Sequence, residues 1–543
     1  MSKFRNQKLA ATLASTQPKP NLVEANNIPK PDTTNRQGHE AYSLDKWLRL
    51  LTMLNTLKVE AQFYRSESQT MTELKSLVDA CAKEDAYLVA QCIVYSRCVG
   101  EGMRSVNHLA ASFLAPHCGG LDWAKRFYGL WNKKTQSGGT IFRPDDMVEI
   151  IACFSALNKP KATNAMKKGF ATAIEHLDSY ALLKYKKGLI DVINLVRPNS
   201  KVSTATVDID GERVKTIDAM MKGLSASADT WEVAQSDAGQ QVAQAVKEGK
   251  IDKAEAATIL QEAKADNWDA LLSEGKLPIL AALRNIRNIL KTKAKTSTVD
   301  TLCNLLSSAD AIRKGKIMPH QLDLAVEVIN SEFSDADSRK ITQALLKGYV
   351  DAVPNLAELL PGRNLVLVDF SGSMSTAMTN GDRNKPVRYK TSCMDKAALI
   401  AATIAKGTNA DIIRFGSDAE YVKWNANSDV FTLARDIRRD MGCTSLASAW
   451  NVAAASGKSY DRVFILSDNE CNVGSNATAY KNYVQKLGGP YVYSIDLAGY
   501  GTTAIAGDKV RYYYGYGYSM FDDIAKSEFN PNYHLEKVRK IKI

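Results

Sequence analysis

The stretch Leu365-Val366-Leu367-Val368-Asp369-Phe370-Ser371-Gly372-Ser373-Met374 constrains this chain more than any other. Four apolar residues in a row, two of them β-branched, predict a buried strand of a parallel sheet. The run stops in Asp-x-Ser-x-Ser. A carboxylate and two hydroxyls on alternate residues past a strand present three hard oxygens on one side of a loop. Such oxygens suit Mg²⁺ or Mn²⁺, which take few protein ligands and keep waters. On spacing alone, the same residues also read as a Ser/Gly turn with a capping Asp.

Two later stretches favour the ion. Met441-Gly442-Cys443-Thr444-Ser445-Leu446 precedes an Ala-rich helical segment and offers the Thr444 hydroxyl. Arg462-Val463-Phe464-Ile465-Leu466-Ser467-Asp468 is another apolar strand that ends in a carboxylate. Ligands delivered by separate loops at strand ends are what an open α/β sheet offers at its carboxyl edge. Asp369, Ser371, Ser373, Thr444 and Asp468 together resemble the metal-ion-dependent adhesion site of von Willebrand factor A domains. That resemblance implies a Mg²⁺ or Mn²⁺ cofactor with one open position, which a partner's carboxylate often fills.

The 543 residues are enough for two to four domains, and an apolar content of 45% supports large cores. The formal charge of +11 points to a polyanion or an acidic surface as partner. Nine cysteines are scattered without metal-type spacing. Cys81, Cys92 and Cys98 sit in helical-looking segments and read as core thiols. A reducing, cytoplasmic compartment is the expectation, since no secretory h-region and no apolar run of membrane-spanning length is visible.

Residues 1–40, rich in Asn, Pro, Thr and Gln, read as an extended N-terminal arm. Residues 41–358 are nearly all helical in pattern, with Ser43 as a first N-cap. Segments near 71–82, 85–99, 104–115, 121–132, 144–156, 161–177 and 179–196 follow one another across short breaks. Stacked helices without strands suggest an α-solenoid of HEAT-type repeats. An insertion at about 200–270 differs: Val202 to Val214 suits a small hairpin, and residues 236–265 an exposed helix. From 359 to 543 strands alternate with helices, which predicts a doubly wound, Rossmann-like α/β domain. Its strands are expected near 365–370, 411–415, 419–424, 462–467 and 491–496. The run Tyr512-Tyr513-Tyr514-Gly515-Tyr516-Gly517-Tyr518 reads as a loop against the last helix, with base stacking as the other use of such rings.

A mainly helical part running directly into this strand resembles the TROVE-module proteins, the family of the Ro autoantigen and its bacterial relatives. Trp47-Leu48-Arg49-Leu50-Leu51 through Ala61-Gln62-Phe63-Tyr64 is similar to their first helix and aromatic turn. Lys184-Tyr185-Lys186-Lys187 with Arg197-Pro198 resembles their basic Lys-Tyr block. Leu277-Pro278 through Leu283-Arg284-Asn285, and Lys316-Ile317-Met318-Pro319, match in character. The family's Gly-rich turn is replaced by Asn55-Thr56-Leu57-Lys58, and its His-bearing stretch after the Lys-Tyr block is shortened. The resemblance implies a monomeric ring with a basic hole, binding Y RNAs outside and single-stranded 3′ ends of misfolded RNAs within. RNA quality control or processing would be its role, with an exoribonuclease as a further partner.

The charge pattern agrees independently. Residues 101–200 hold 14 Lys or Arg against 8 Asp or Glu, an excess of 14 − 8 = +6. Within it, Lys161, Lys167, Lys168, Lys184, Lys186, Lys187 and Arg197 form the candidate RNA-binding set. Catalysis is not expected. The six histidines show no triad or ligand spacing, and no Walker-type phosphate loop is present. His108, His117, His176 and His320 read as packing or surface residues. The alternative function is a metal-dependent adaptor that grips an acidic partner through the A domain.

Overall fold

The computed structural model of this chain describes residues 25–57, 62–130, 143–158, 162–224, 252–375 and 391–543, with residues 59, 242, 244–248, 250, 377 and 378. They form two compact units. One takes the described residues up to Glu73 together with Val353–Lys537; the other takes Leu74–Ala352 and Val538–Ile543.

The second unit is helical. Glu67–Cys98 (α1), Ser105–Leu114 (α2), Asp122–Gly129 (α3), Pro144–Asn158 (α4), Asn164–Glu175 (α5), Ser179–Lys184 (α6) and Lys186–Val196 (α7) open it. Their packing runs α2 on α4, α3 on α5, and α7 on both α4 and α5. The two expected helices, 71–82 and 85–99, meet at a kink within α1, where Asp85 is non-helical (φ −151°). The single helix expected over 179–196 is instead two, broken at Tyr185, which caps α6 and starts α7. The predicted hairpin is present as Thr206–Ile209 against Glu212–Lys215. Its turn, Asp210-Gly211, has positive φ at both residues, the geometry of a tight hairpin turn that only Gly and a few polar residues accept cheaply. Helices continue from Lys253–Ser273 to Ala336–Ala352.

A late loop of this unit touches the end of an early helix. Lys316, in a left-handed conformation after Ala309–Lys314, donates its ammonium to the Arg97 carbonyl at 2.8 Å. Its stem lies 3.3 Å from where a Cβ on Gly102 would sit.

The first unit is built on a six-stranded sheet. Its strands are Asn364–Asp369 (β1), Asp411–Phe415 (β2), Ala419–Val422 (β3), Arg462–Ser467 (β4), Tyr491–Asp496 (β5) and Val510–Tyr514 (β6). The order is β6-β5-β4-β1-β2-β3, parallel except for β3. All six residues of β1 are buried, because helices cover both faces of a parallel sheet. Leu365, Leu367, Val463 and Ile465 meet Trp450 and Tyr483 on one face. Each such side chain contributes about 1.5–3 kcal/mol by leaving water.

Three sequence expectations fail in this unit. The tyrosine run is not a loop or a stacking platform: Tyr512–Tyr514 belong to strand β6, and Tyr513, Tyr514, Tyr516 and Tyr518 are buried. Its glycines hid the strand, and aromatic residues fit a pleated, half-covered surface well. The extended arm does not hold from Ala25 on. Ala25 is in the core, and Thr33–Thr34 pairs with Glu40–Ser43, which pairs with Thr502–Thr503. Asn35 makes that turn by accepting from the Gln37 and His39 amides, chemistry that polar composition alone reads as disorder. Residues before 25 lie outside the described set. Finally, helix Lys46–Thr56, assigned by sequence to the helical array, packs on β6 in the sheet unit. Asp45 caps it, accepting from Trp47 N at 2.8 Å.

Candidate functional site: a buried carboxylate–hydroxyl cluster and a basic helical face

Strands β1 and β4 run parallel in register, with Val368 opposite Leu466. The next residues, Asp369 and Ser467, therefore meet at the carboxyl edge. Ser467 donates its hydroxyl to Asp369 Oδ2 at 2.6 Å, and Ser371 N donates to Oδ1 at 2.9 Å. The Ser371 and Ser373 hydroxyls are 3.2 Å apart. Ser373 also bonds to Asp468, whose Oδ1 accepts from Glu470 N at 3.1 Å.

Thr444 arrives on a loop tied to both neighbours. Gly372 N donates to the Gly442 carbonyl at 2.8 Å, and Met441 N to the Phe370 carbonyl at 2.9 Å. On the other side, Thr444 N donates to Asn472 Oδ1 at 2.9 Å, just past Asp468. The Ser445 side chain then caps the helix Leu446–Ala455. All five predicted residues thus sit on three bonded loops at one sheet edge, and none is more than 6% exposed.

Burial pushes the Asp369 carboxyl up from its ordinary value. Burial pushes Asp468 well up too, with the Asp369 charge adding to it. Two carboxylates whose charged forms are disfavoured by burial, beside three hydroxyls, are a donor set that would suit one hard divalent cation. Among the described residues, no group of three or more His, Cys, Asp or Glu gathers as a metal cage. A set with only two carboxylates matches an ion that keeps water, not a fully protein-ligated one.

Sequence reasoning missed two neighbours. Asp496 ends β5 and is satisfied by Ala498 N, Gly499 N and the Tyr512 hydroxyl. Tyr64 reaches in from a distant segment and bonds to Ser373. Burial raises its phenol to about 12, and the nearby Asp468, Glu470 and Asp369 charges add to that. Its turn, Gln62-Phe63-Tyr64-Arg65, stands out in the sequence as aromatic, but nothing there aims it at the cluster.

The candidate RNA set lies in the helical unit. Lys167 and Lys168 are on α5, half-buried and exposed respectively. Lys184 ends α6, and Lys186 and Lys187 begin α7. Lys187 is exposed, whereas Lys186 donates to the Leu224 carbonyl at 3.0 Å. Arg197, exposed, is the left-handed cap of α7. Lys161 lies outside the described residues. Gly169 lets α5 close on α3: a Cβ there would stand 2.5 Å from Tyr128 Cβ. Tyr180 was not foreseen; it is 48% exposed, with the Lys184 ammonium 5.5 Å above its ring. Behind this face, the fully buried Asp146 accepts from Arg97, Arg104 and His108 at 2.7–2.8 Å. Arg143 stacks on Tyr185.

Comparison with known proteins finds two likenesses. The TROVE domain matches residues 231–403 of this chain. Among solved structures, the fold is similar to the crystal structure of the Deinococcus radiodurans Ro (RSR) protein. The two are 16% identical, with a TM-score of 0.52 over 89% of this chain and 100% of that one. No curated protein matches. The chain thus carries a TROVE domain match over part of its length and shares its fold with a Ro protein.

Proposed function

We propose that this protein binds RNA without cleaving it, through the basic face of α5–α7, and holds one Mg²⁺ or Mn²⁺ at the sheet edge. The observation that carries the RNA reading is the union of a TROVE domain and a Ro-type fold with exposed cations on adjacent helices. Lysines meet phosphates as point charges, so recognition is of backbone and single strands more than of sequence. Tyr180 beside Lys184 adds a ring on which an unpaired base can stack. The Lys316–Arg97 contact supports a helical array closed into a ring, which would admit a single-stranded 3′ end.

Small Y-type RNAs and the ends of misfolded RNAs are the proposed ligands, RNA quality control the proposed setting, and an exoribonuclease the proposed partner. No helix among the described residues is long and apolar enough to cross a membrane. Crosslinking in cells followed by sequencing of bound RNA tests the proposal. Recovery of small structured and 3′-single-stranded RNAs is expected; a sample free of RNA would refute it.

A specific feature favours a second reading. The five-residue cluster matches the ligand types of a von Willebrand factor A domain and sits at the edge where such a domain holds its ion. An adaptor role would then show as metal-dependent capture of an acidic protein by an RNA-free preparation.

A further inference from the structure

An ion site that recruits a partner's carboxylate needs a coordination position open to solvent. Here all five candidate ligands are at least 94% covered, since Asp369, Ser371, Thr444 and Asp468 are 0–1% exposed and Ser373 6%. Among the described residues, one side chain that reaches the cluster from a distant segment is Tyr64, whose hydroxyl bonds to Ser373.

Tyr64 is mounted to stay there. Gln62 and Arg65 bridge each other's backbone, with Gln62 N on the Arg65 carbonyl at 2.7 Å, so Phe63 and Tyr64 form the tip of a tight turn. Both feet of the turn are fixed. Gln62 Nε2 donates to the Ala498 carbonyl at 3.1 Å, and the fully buried Arg65 guanidinium holds Gln62 and Glu73. The Tyr64 ring meets Tyr500 edge-on at 5.7 Å, and Arg65 lies over Tyr500 at 5.4 Å. Phe63 packs edge-on against Tyr64 at 4.7 Å yet is 58% exposed. A greasy ring in water beside a half-buried phenol marks the outer wall of the site.

We infer that the Tyr64 ring is the cover of the cluster, and that a carboxylate ligand reaches the ion only when the Phe63–Tyr64 tip moves aside. The inference rests on the ion-site reading for its ligand, but the cover itself does not depend on it. Tyr64 then decides what the site accepts. With the tip in place the ion is an internal cofactor; with it displaced, the ion becomes a docking point for an acidic side chain.

The experiment has two arms. The first needs no metal. Ser371→Cys is placed in the wild-type, Tyr64→Phe and Tyr64→Ala backgrounds, and labelling of residue 371 by a small thiol reagent is followed by peptide mass. Labelling at least tenfold faster in Tyr64→Ala, with Tyr64→Phe close to wild type, is expected, because the ring does the covering. Equal rates in all three, in proteins of unchanged circular dichroism, overturn the cover. The second arm titrates acetate into the Mn²⁺-loaded proteins and reads the Mn²⁺ paramagnetic resonance spectrum. Acetate is expected to bind at least tenfold more tightly to Tyr64→Ala than to wild type; equal affinity overturns the gating of ligands. Absence of Mn²⁺ binding in wild type would refute the ion site, while the first arm still decides the cover.

Discussion

Removing charge from α6 and α7 should flatten the salt dependence of RNA binding by an amount that the structure divides unequally. Each phosphate contact on single-stranded RNA contributes about 0.7 to the slope of log affinity against log salt. A triple change of Lys184, Lys186 and Lys187 to Ala removes three cations, but their surroundings differ. Lys187 is exposed, and Lys184 lies over an exposed Tyr180. Lys186 is already engaged by the Leu224 carbonyl at 3.0 Å, so its ammonium is turned toward protein. Two contacts, not three, should be lost, and the slope should fall by about 1.4. With affinity at 1 M salt unchanged, that is about 25-fold weaker binding at 0.1 M. Fluorescence anisotropy of a labelled single-stranded RNA across 0.1–0.5 M salt measures it. Lys186→Ala alone should leave the slope within error. A slope that drops as much for Lys186→Ala as for Lys187→Ala, or a triple variant with unchanged slope, would refute the assignment.

Other consequences are equally direct. Asp369→Ala should abolish Mn²⁺ binding in a titration while helix content stays constant; an ordered metal surviving in that variant would end the site. Because burial raises the Asp369 and Asp468 carboxyls, the metal-free fold binds protons more tightly than the unfolded chain. Its contribution is therefore present at low pH and lost as pH rises through the raised values, so added Mg²⁺ should lift the melting temperature at pH 7.5 and progressively less toward pH 4. Asp146 is the opposite case: its Arg and His partners hold it well below the usual carboxylate range, and Asp146→Asn should cost about 3–5 kcal/mol, read by urea unfolding at pH 7. Gly169→Ala should destabilise by about 1–3 kcal/mol, since the methyl group meets Tyr128 and the Lys125 carbonyl; a neutral result would mean α3 and α5 are free to part.

How much of this was readable beforehand depended on whether the signal was local. β1 announced itself because a strand buried on both faces has no polar position, and its Asp-x-Ser-x-Ser end carries its own spacing. The hairpin at Asp210-Gly211 was legible for the same reason, a turn written in two residues. Strand β6 was not, because Arg511 and the flanking glycines break any alternation, and its burial comes from Asp523, Ile524 and β5 across the chain. The break at Tyr185 escaped because Lys and Tyr are ordinary helix residues and carry no stop signal. Tyr64 was visible as an aromatic residue, but its destination at Ser373 is set by contacts hundreds of residues away, which no spacing rule encodes.

A row of helices stacked only on its neighbours melts from its ends, where each terminal helix has one side bare. In the helical unit, the carbonyl near the end of α1 is held by a side chain 219 residues further on. If this clasp closes the row into the proposed ring, no first helix is left to peel. Opening such a ring would break the row in two places at once, and amide exchange through these helices would then rise together instead of in a gradient from one edge. A strand of nucleic acid lodged within a clasped row would have to be drawn out along its length, because nothing short of that double break lets it slip out sideways.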